Sequence, residues 1–298
     1  MIPYAQLSPG AGFRPGRAAL YYAQRFVVSP PLRAFCGRAI ASGVNILCRD
    51  APSPSAAARD VASRLRKSGC AAIRPLLPRD RIAQIVAHLD EQAVLVPGCS
   101  APIALKDRPA GARMATYSLQ TVMECEALLE AANHPFILEI ASAYLGCTPT
   151  IASIGCRWSF PKADSLVQTQ TFHRDCDDWK FFKLFLYLVD VDEETGPHIY
   201  IEGSHKRTAE LFAKPYDEEK LRETFGADRF HSFTGAAGTT FLCDTYGIHK
   251  GAVPTGKARL IFQVQYSLLP VYAFDYQPLP LAAGGRFSRH VNRLLIDR

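Results

Sequence analysis

The segment Thr169-Gln170-Thr171-Phe172-His173-Arg174-Asp175 ends with a histidine and a carboxylate two residues apart. In an extended chain, residues i and i+2 project to the same side, so His173 and Asp175 can ligate one metal ion as neighbours. Far downstream, Asp244-Thr245-Tyr246-Gly247-Ile248-His249 places a further histidine at a strand edge. Two histidines and one carboxylate on one face of an octahedron form the facial triad of non-haem Fe(II) sites, which leaves three coordination positions open. His-x-Asp alone is a weak signal, because a chain with eight histidines and 28 acidic residues produces one by chance.

A third feature strengthens it. Beyond His249 runs Lys257-Ala258-Arg259-Leu260-Ile261-Phe262-Gln263-Val264-Gln265-Tyr266, an alternating strand pattern. One side carries Leu260, Phe262, Val264 and Tyr266, and the other carries Arg259, Ile261, Gln263 and Gln265. A guanidinium on the inner side is costly to bury without partners. A bidentate clamp on a dicarboxylate ligand would satisfy it.

Other candidates are weighed against plainer roles. In Phe181-Phe182-Lys183-Leu184-Phe185-Leu186-Tyr187-Leu188-Val189, the set Phe182, Leu184, Leu186, Leu188 suits packing under helices, which turns Lys183, Phe185 and Tyr187 to the cavity. Lys183 there can grip a carboxylate of a cosubstrate or an anionic substrate; the alternative is a strand-end lysine snorkelling to water. Arg157, in the alternating Gly155–Phe160 stretch, is a candidate substrate contact with the same ambiguity, as are Phe185 and Tyr187. Of Gln168, Thr169 and Thr171, those sharing the side of His173 can touch a cosubstrate. Asp177, Asp178 and Trp179 fit either a site mouth or a solvated turn. For His198 and His205 a structural hydrogen bond is the default, and His88, His134, His231 and His290 read as structural or solvent-facing. His-Arg-Asp also opens a protein-kinase catalytic loop, but no Gly-rich loop and no Asp-Phe-Gly accompany it.

These residues need positioning elements. Helix-compatible stretches occur at about 17–27, 31–47, 56–68 (ended by Gly69), 79–92, 123–132 and 135–145, with a short strand at Cys70–Ile73 and weak patterning over 98–121. From 148 the character changes to short strands, at about 149–160, 166–174, 180–190, 197–202, 229–234, 238–243, 247–252 and 258–268, interrupted by a helical insertion at about 207–226. The expected fold is α+β with a mainly β core, a double-sheet jelly roll with helices packed on one sheet.

With these elements in place, the chain resembles the phytanoyl-CoA dioxygenase family of Fe(II)/2-oxoglutarate-dependent oxygenases. The resemblance covers about residues 63–268 and rests on Lys67-Ser68-Gly69-Cys70-Ala71, His173-Arg174-Asp175, Leu186-Tyr187-Leu188-Val189-Asp190-Val191, Gly196-Pro197-His198-Ile199-Tyr200, Gly203-Ser204-His205-Lys206 and the pair His249 and Arg259. It implies a double-stranded β-helix (cupin-like) core, Fe(II) held by His173, Asp175 and His249, and the distal carboxylate of 2-oxoglutarate held by Arg259. It further implies consumption of O2 with release of succinate and CO2. Related halogenases replace the metal-binding carboxylate with a small residue; Asp175 is present here, which favours hydroxylation, with desaturation or ring closure as other outcomes.

Composition bounds the rest. Of 298 residues, 48% are hydrophobic and 21% charged, as in a globular protein with a substantial core. The net charge of +6 is localised: the first 49 residues hold six arginines and no acidic residue, leaving 28 basic against 28 acidic side chains in the remainder. The balanced body argues against a nucleic-acid partner. No apolar run suits a membrane span. Nine cysteines without a C-x-x-C pair point to reduced thiols and a cytoplasmic location. The Pro/Ser punctuation at Ala51–Ser55 divides a basic accessory segment, 1–55, from an oxygenase domain, 56–298, with its jelly-roll core at about 148–268. The arginine-bearing start also resembles a mitochondrial transit peptide; an accessory segment, lying against the helices or joining a homo-oligomer, is the plainer reading. The partner expected is a small molecule. The competing classes are a non-catalytic β-sandwich module with a vestigial metal site and a cupin-like enzyme of another type, such as a zinc hydrolase.

Overall fold

The structure, a computed structural model, describes residues 7, 12–48, 53–161, 168–209, 216–281 and 285–297. Helices dominate the first half: α1 (Pro15–Phe26), α2 (Pro30–Leu47), α3 (Ala56–Ser68), α4 (Arg79–Asp90), α5 (Leu119–Glu124), α6 (Glu126–Ala132) and α7 (Pro135–Leu145). Local chemistry sets their ends. The Ser55 side chain accepts from the Ala58 amide to start α3, and Gly69, at φ +84°, stops it in the left-handed region that suits glycine. Strand β1 (Cys70–Ile73) follows at once.

The remaining strands are β2 (Ala93–Leu95), β3 (Ile103–Ala104), β4 (Met114–Tyr117), β5 (Thr150–Ser159), β6 (Phe181–Tyr187), β7 (His198–Ile201), β8 (Phe230–Phe233), β9 (Thr240–Cys243), β10 (His249–Gly251), β11 (Arg259–Ser267), β12 (Leu279–Pro280) and β13 (Ile296–Asp297), with α8 (Glu218–Phe225) before β8 and α9 (Arg289–Asn292) before β13. An antiparallel sheet runs β1-β9-β6-β11-β5-β4-β2-β3, and a smaller one runs β10-β7-β8. Alternation along the strands gives the large sheet two different faces. Phe182, Leu184 and Leu186 of β6 join Leu260, Phe262, Val264 and Tyr266 of β11 in the core beneath the helices. The Tyr266 hydroxyl donates to the Ala132 carbonyl at 2.6 Å, tying α6 to the sheet. On the inner face, Phe185, Tyr187, Ile261 and Phe241 meet Tyr200 and Phe233 of the small sheet.

Three expectations need correction. The strand expected over 166–174 falls partly on residues outside those described; Gln168–Gln170 form a 3-10 turn, and Phe172 and His173 pair only as single bridges, to Tyr216 and His249. The insertion expected to be helical over 207–226 is helical only at Glu218–Phe225 among the described residues. The weakly patterned stretch 98–121 contributes β3 and β4, too short for a periodicity signal, and these extend the large sheet beyond β5. No helix among the described residues is long and apolar enough to cross a membrane.

The arginine-bearing prefix is built into the molecule. Ala18 and Tyr21 of α1 pack with Ala152 and Val271, while Ala41 and Val44 of α2 join the main core. Arg33 is 5% exposed and works as a clamp. Its guanidinium donates to the carbonyls of Gln24, Val27 (3.2 Å) and Asp178 (2.7 Å) and lies 4.2 Å from the Tyr246 ring centroid. Arg33→Ala strips these buried carbonyls of their donor and should cost about 2–3 kcal/mol in urea unfolding. Arg33→Lys, which lacks the planar fork, should recover less than half of that. A loss under about 0.5 kcal/mol would mean the clamp contributes little.

Candidate metal centre

Two segments meet at the open edge of the small sheet. The His173 amide donates to the His249 carbonyl and the His249 amide to the His173 carbonyl, both at 3.0 Å, while the Asp175 amide donates to Thr245 at 2.8 Å. This antiparallel pairing brings the imidazoles side by side, with ring centroids 4.3 Å apart. Nδ1 of His173 faces the Thr171 carbonyl at 2.8 Å, and Nδ1 of His249 faces the Gly247 carbonyl at 2.9 Å. Each Nδ1 therefore carries the proton, leaving Nε2 as the acceptor atom. The two Nε2 atoms lie 3.7 Å (His173) and 3.6 Å (His249) from the Asp175 carboxylate oxygens. All three potential ligand atoms fall within 4.8 Å of one another.

The electrostatics suit a cation. Burial, with His173 adjacent, pushes His249 down to about 3, so it is a neutral ligand at physiological pH. Burial alone would raise Asp175, but the Lys183 ammonium and the two imidazoles outweigh it and hold the carboxyl well below its usual range. Lys183 Nζ lies 2.7 Å from Asp175 Oδ2 and 3.6 Å from Asp177 Oδ2. The carboxylates that Lys183 grips here are thus the protein's own.

Outer contacts fix the loop that carries His249. Ser204 Oγ accepts from the Ile248 amide at 2.7 Å, and the Tyr200 hydroxyl donates to the Asp244 carbonyl at 2.9 Å. A Cβ on Gly247 would collide with the Tyr200 hydroxyl, so this approach requires glycine. Arg174, pointing away from the triad, donates to the carbonyls of Tyr246 and Ser204 at 2.7 and 2.9 Å.

The cleft beside the triad is lined by Arg157, Thr169, Lys183, Phe185, His198, Gly251, Arg259, Ile261 and Gln263 as well as the three ligands. Arg259 is 3% exposed, and Nη2 has only a long contact, 3.4 Å, to Ser159 Oγ. Its Nε and Nη1 are buried with no partner. Burial lowers Arg259 to about 10. Arg157, on β5 opposite Ile261, also has an unpartnered Nε and is lowered by burial.

Of the other sequence candidates, Thr171 contributes its carbonyl to His173 and is not among the lining residues; Thr169 takes that place. Tyr187 lies behind the lining, its hydroxyl donating to the Phe233 carbonyl and accepting from the His198 amide, both at 2.9 Å. His198, whose default reading was structural, lines the cleft with a buried, unpartnered Nε2, its ring 5.4 Å from that of His249. Asp178 is no solvated turn residue: it is buried and accepts from the Leu269 and Trp179 amides. Gly251 was missed. A Cβ there would lie 2.7 Å from Arg259 Nη2, and its place two residues after His249, on the same side of the strand, was the available signal.

No family model matches the chain, and no curated protein matches its sequence. Solved structures do match its shape. The epimerase SnoN, in complex with Fe3+, α-ketoglutarate and nogalamycin RO, superposes with a TM-score of 0.54 at 19% identity, covering 71% of this chain and 84% of that one. EctD from S. alaskensis, solved with 2-oxoglutarate and 5-hydroxyectoine, gives 0.52 at 18% identity over 74% and 78% of the two chains. The non-heme α-ketoglutarate-dependent carbocyclase SnoK from nogalamycin biosynthesis gives 0.51 at 17% identity over 72% and 87%.

The chain has the jelly-roll fold of 2-oxoglutarate-dependent enzymes. In this jelly roll the donor set of two imidazoles, each presenting Nε2, and one carboxylate fits a divalent first-row metal. His173→Ala or Asp175→Ala should therefore weaken Ni(II) binding, measured by equilibrium dialysis, by at least ~100-fold. Lys183→Met should act in the opposite direction, tightening Ni(II) roughly tenfold, because a cation that competes for Asp175 has gone. Unchanged affinity in all three variants would place the metal elsewhere.

Proposed function

We propose that the protein is an Fe(II)- and 2-oxoglutarate-dependent dioxygenase that hydroxylates a small molecule, and that it is a member of the phytanoyl-CoA dioxygenase family. The observation that carries this reading is the buried Arg259 guanidinium, whose Nε and Nη1 have no partner, in the same cleft as His173, Asp175 and His249. Such a group is stable in place only with an anion to receive its donors. The family assignment rests on the sequence motifs, which the fold accommodates.

His173, Asp175 and His249 hold the iron, and Arg259 receives the distal carboxylate of 2-oxoglutarate. When bound, the pair supplies the oxidising chemistry, reducing O2 as 2-oxoglutarate becomes succinate and CO2. The chain's own residues position and shield. Gly251 makes room for the guanidinium, Phe185 and Ile261 exclude water from the cleft, and Lys183 fixes the orientation of Asp175.

Charge counting extends the reading to the substrate. The cleft holds three cations, Arg157, Lys183 and Arg259, against two carboxylates, Asp175 and Asp177, which faces Lys183. A divalent metal and a dianionic cosubstrate cancel each other, so one positive charge remains. Arg157 is the group without a counter-ion, which suits a substrate bearing a carboxylate or phosphate. A cytoplasmic location agrees with nine cysteines that are all free thiols.

Anaerobic addition of Fe(II) and 2-oxoglutarate should give a weak visible absorption that disappears in His173→Ala. Arg259→Ala should weaken 2-oxoglutarate binding to the Ni(II)-loaded protein by roughly 100-fold, with Gly251→Ala intermediate. Succinate formation then serves as the substrate screen. A protein that binds neither metal nor 2-oxoglutarate overturns the proposal.

A further inference from the structure

Helices α1 and α2 are apolar on two faces. The inner stripe of α2, Arg33, Gly37, Ala41 and Val44, is buried against the body. At 100° per residue the outer stripe is Leu32, Phe35, Ala39, Ser42 and Ile46, with the 3-4 spacing of a packing surface. On α1, Tyr22 and Phe26 are exposed as well. Among the described residues eight large apolar side chains are exposed, and seven of them lie on these two helices. Phe26 is 65%, Phe35 60% and Ile46 75% exposed. A patch this concentrated marks an interaction surface.

Charge selects the occupant. The first 49 residues contain no acidic side chain, and Arg14 and Arg38 are exposed. A second copy docked through the same stripe would bring arginine towards arginine with no carboxylate from either helix. Anionic headgroups supply that missing charge, and the hydrocarbon below them accepts Phe and Leu side chains.

A second observation points the same way. Pro30, Ala34 and Arg38, on the flank of α2 between its two stripes, form one wall of a cavity of about 350 Å3. Arg33, Arg66 and Lys180 also line it, against the single carboxylate of Asp244, which the Tyr144 hydroxyl occupies at 2.5 Å. Tyr246, 7% exposed, lines the same cavity, and its buried hydroxyl has no partner. Arg33, Lys180 and one nitrogen of Arg66 already donate to carbonyls, so the cavity offers a phosphate its excess positive charge together with the donors of Arg38 and the Tyr246 hydroxyl.

We propose that α1 and α2 dock the protein on an anionic phospholipid surface, the outer stripe entering the headgroup boundary and the cavity beside Arg38 receiving a lipid phosphate. The test is sedimentation of the full chain with vesicles of phosphatidylcholine alone or with one quarter phosphatidylglycerol. Binding should require the anionic lipid and fall steeply at 0.5 M NaCl on the order expected from screening. Phe26→Ser combined with Phe35→Ser should weaken it at least ~10-fold without lowering the melting temperature, since both side chains are exposed. Arg38→Ala combined with Arg66→Ala should reduce the preference for the anionic vesicles. No binding to anionic vesicles, or binding indifferent to the serine pair, overturns the proposal. So does a dimer in light scattering that the serine pair dissolves, which would assign the face to a second copy.

Discussion

The reciprocal main-chain bonds between His173 and His249 are the constraint on which the site depends. One residue of slip in that pairing would turn one imidazole to the opposite face, because side chains alternate along an extended chain. The structure therefore secures the pairing from outside the cleft. Arg174 holds the Tyr246 and Ser204 carbonyls, Ser204 holds Ile248, and Tyr200 presses on Gly247. None of these groups reaches the cleft, yet each limits where His249 can lie. With the pairing fixed, the Thr171 and Gly247 carbonyls select the tautomers, and Nε2 of both rings is directed at Asp175.

A second constraint is the cost of buried charge. The inner face of the large sheet is otherwise aromatic and aliphatic, yet it carries Lys183, Arg157 and Arg259 on three neighbouring strands. Lys183 is balanced internally by Asp175 and Asp177. Arg259 and Arg157 are not, and both are lowered by burial. A fold that keeps such groups sacrifices stability for binding, since apolar residues of similar size would pack without desolvation loss.

Much of this was legible in sequence because it depends on period. The two-residue alternation of β6 and β11 assigned inner and outer faces correctly, and His-x-Asp with a distant histidine and arginine named four residues that the fold brings to one cleft. Local pattern failed where geometry comes from tertiary contact. Phe172 and His173 lie in no regular strand, so periodicity could suggest one but not that their partners would be Tyr216 and His249. Asp178 looked like a turn residue because its acceptors are used by amides of distant and adjacent residues, Leu269 and Trp179. Gly251 carries no chemistry of its own; it matters only because a guanidinium approaches it.

The prefix shows the same limit most clearly. Read as charge, six arginines and no acid suggest a basic accessory segment that lies against the helices or joins a second copy, without saying which arginine does what. The folded chain divides those arginines by role. Arg33 is buried as a clamp on the turn that follows the metal ligands, Arg17 faces Asp275, and Arg38 remains at the surface beside a cavity. One helix face thus holds the prefix to the body while the opposite face is apolar and exposed among the described residues. A segment that only closed the core would gain nothing from Phe26, Phe35 and Ile46 in water, whereas one that joins the body to another surface needs both faces.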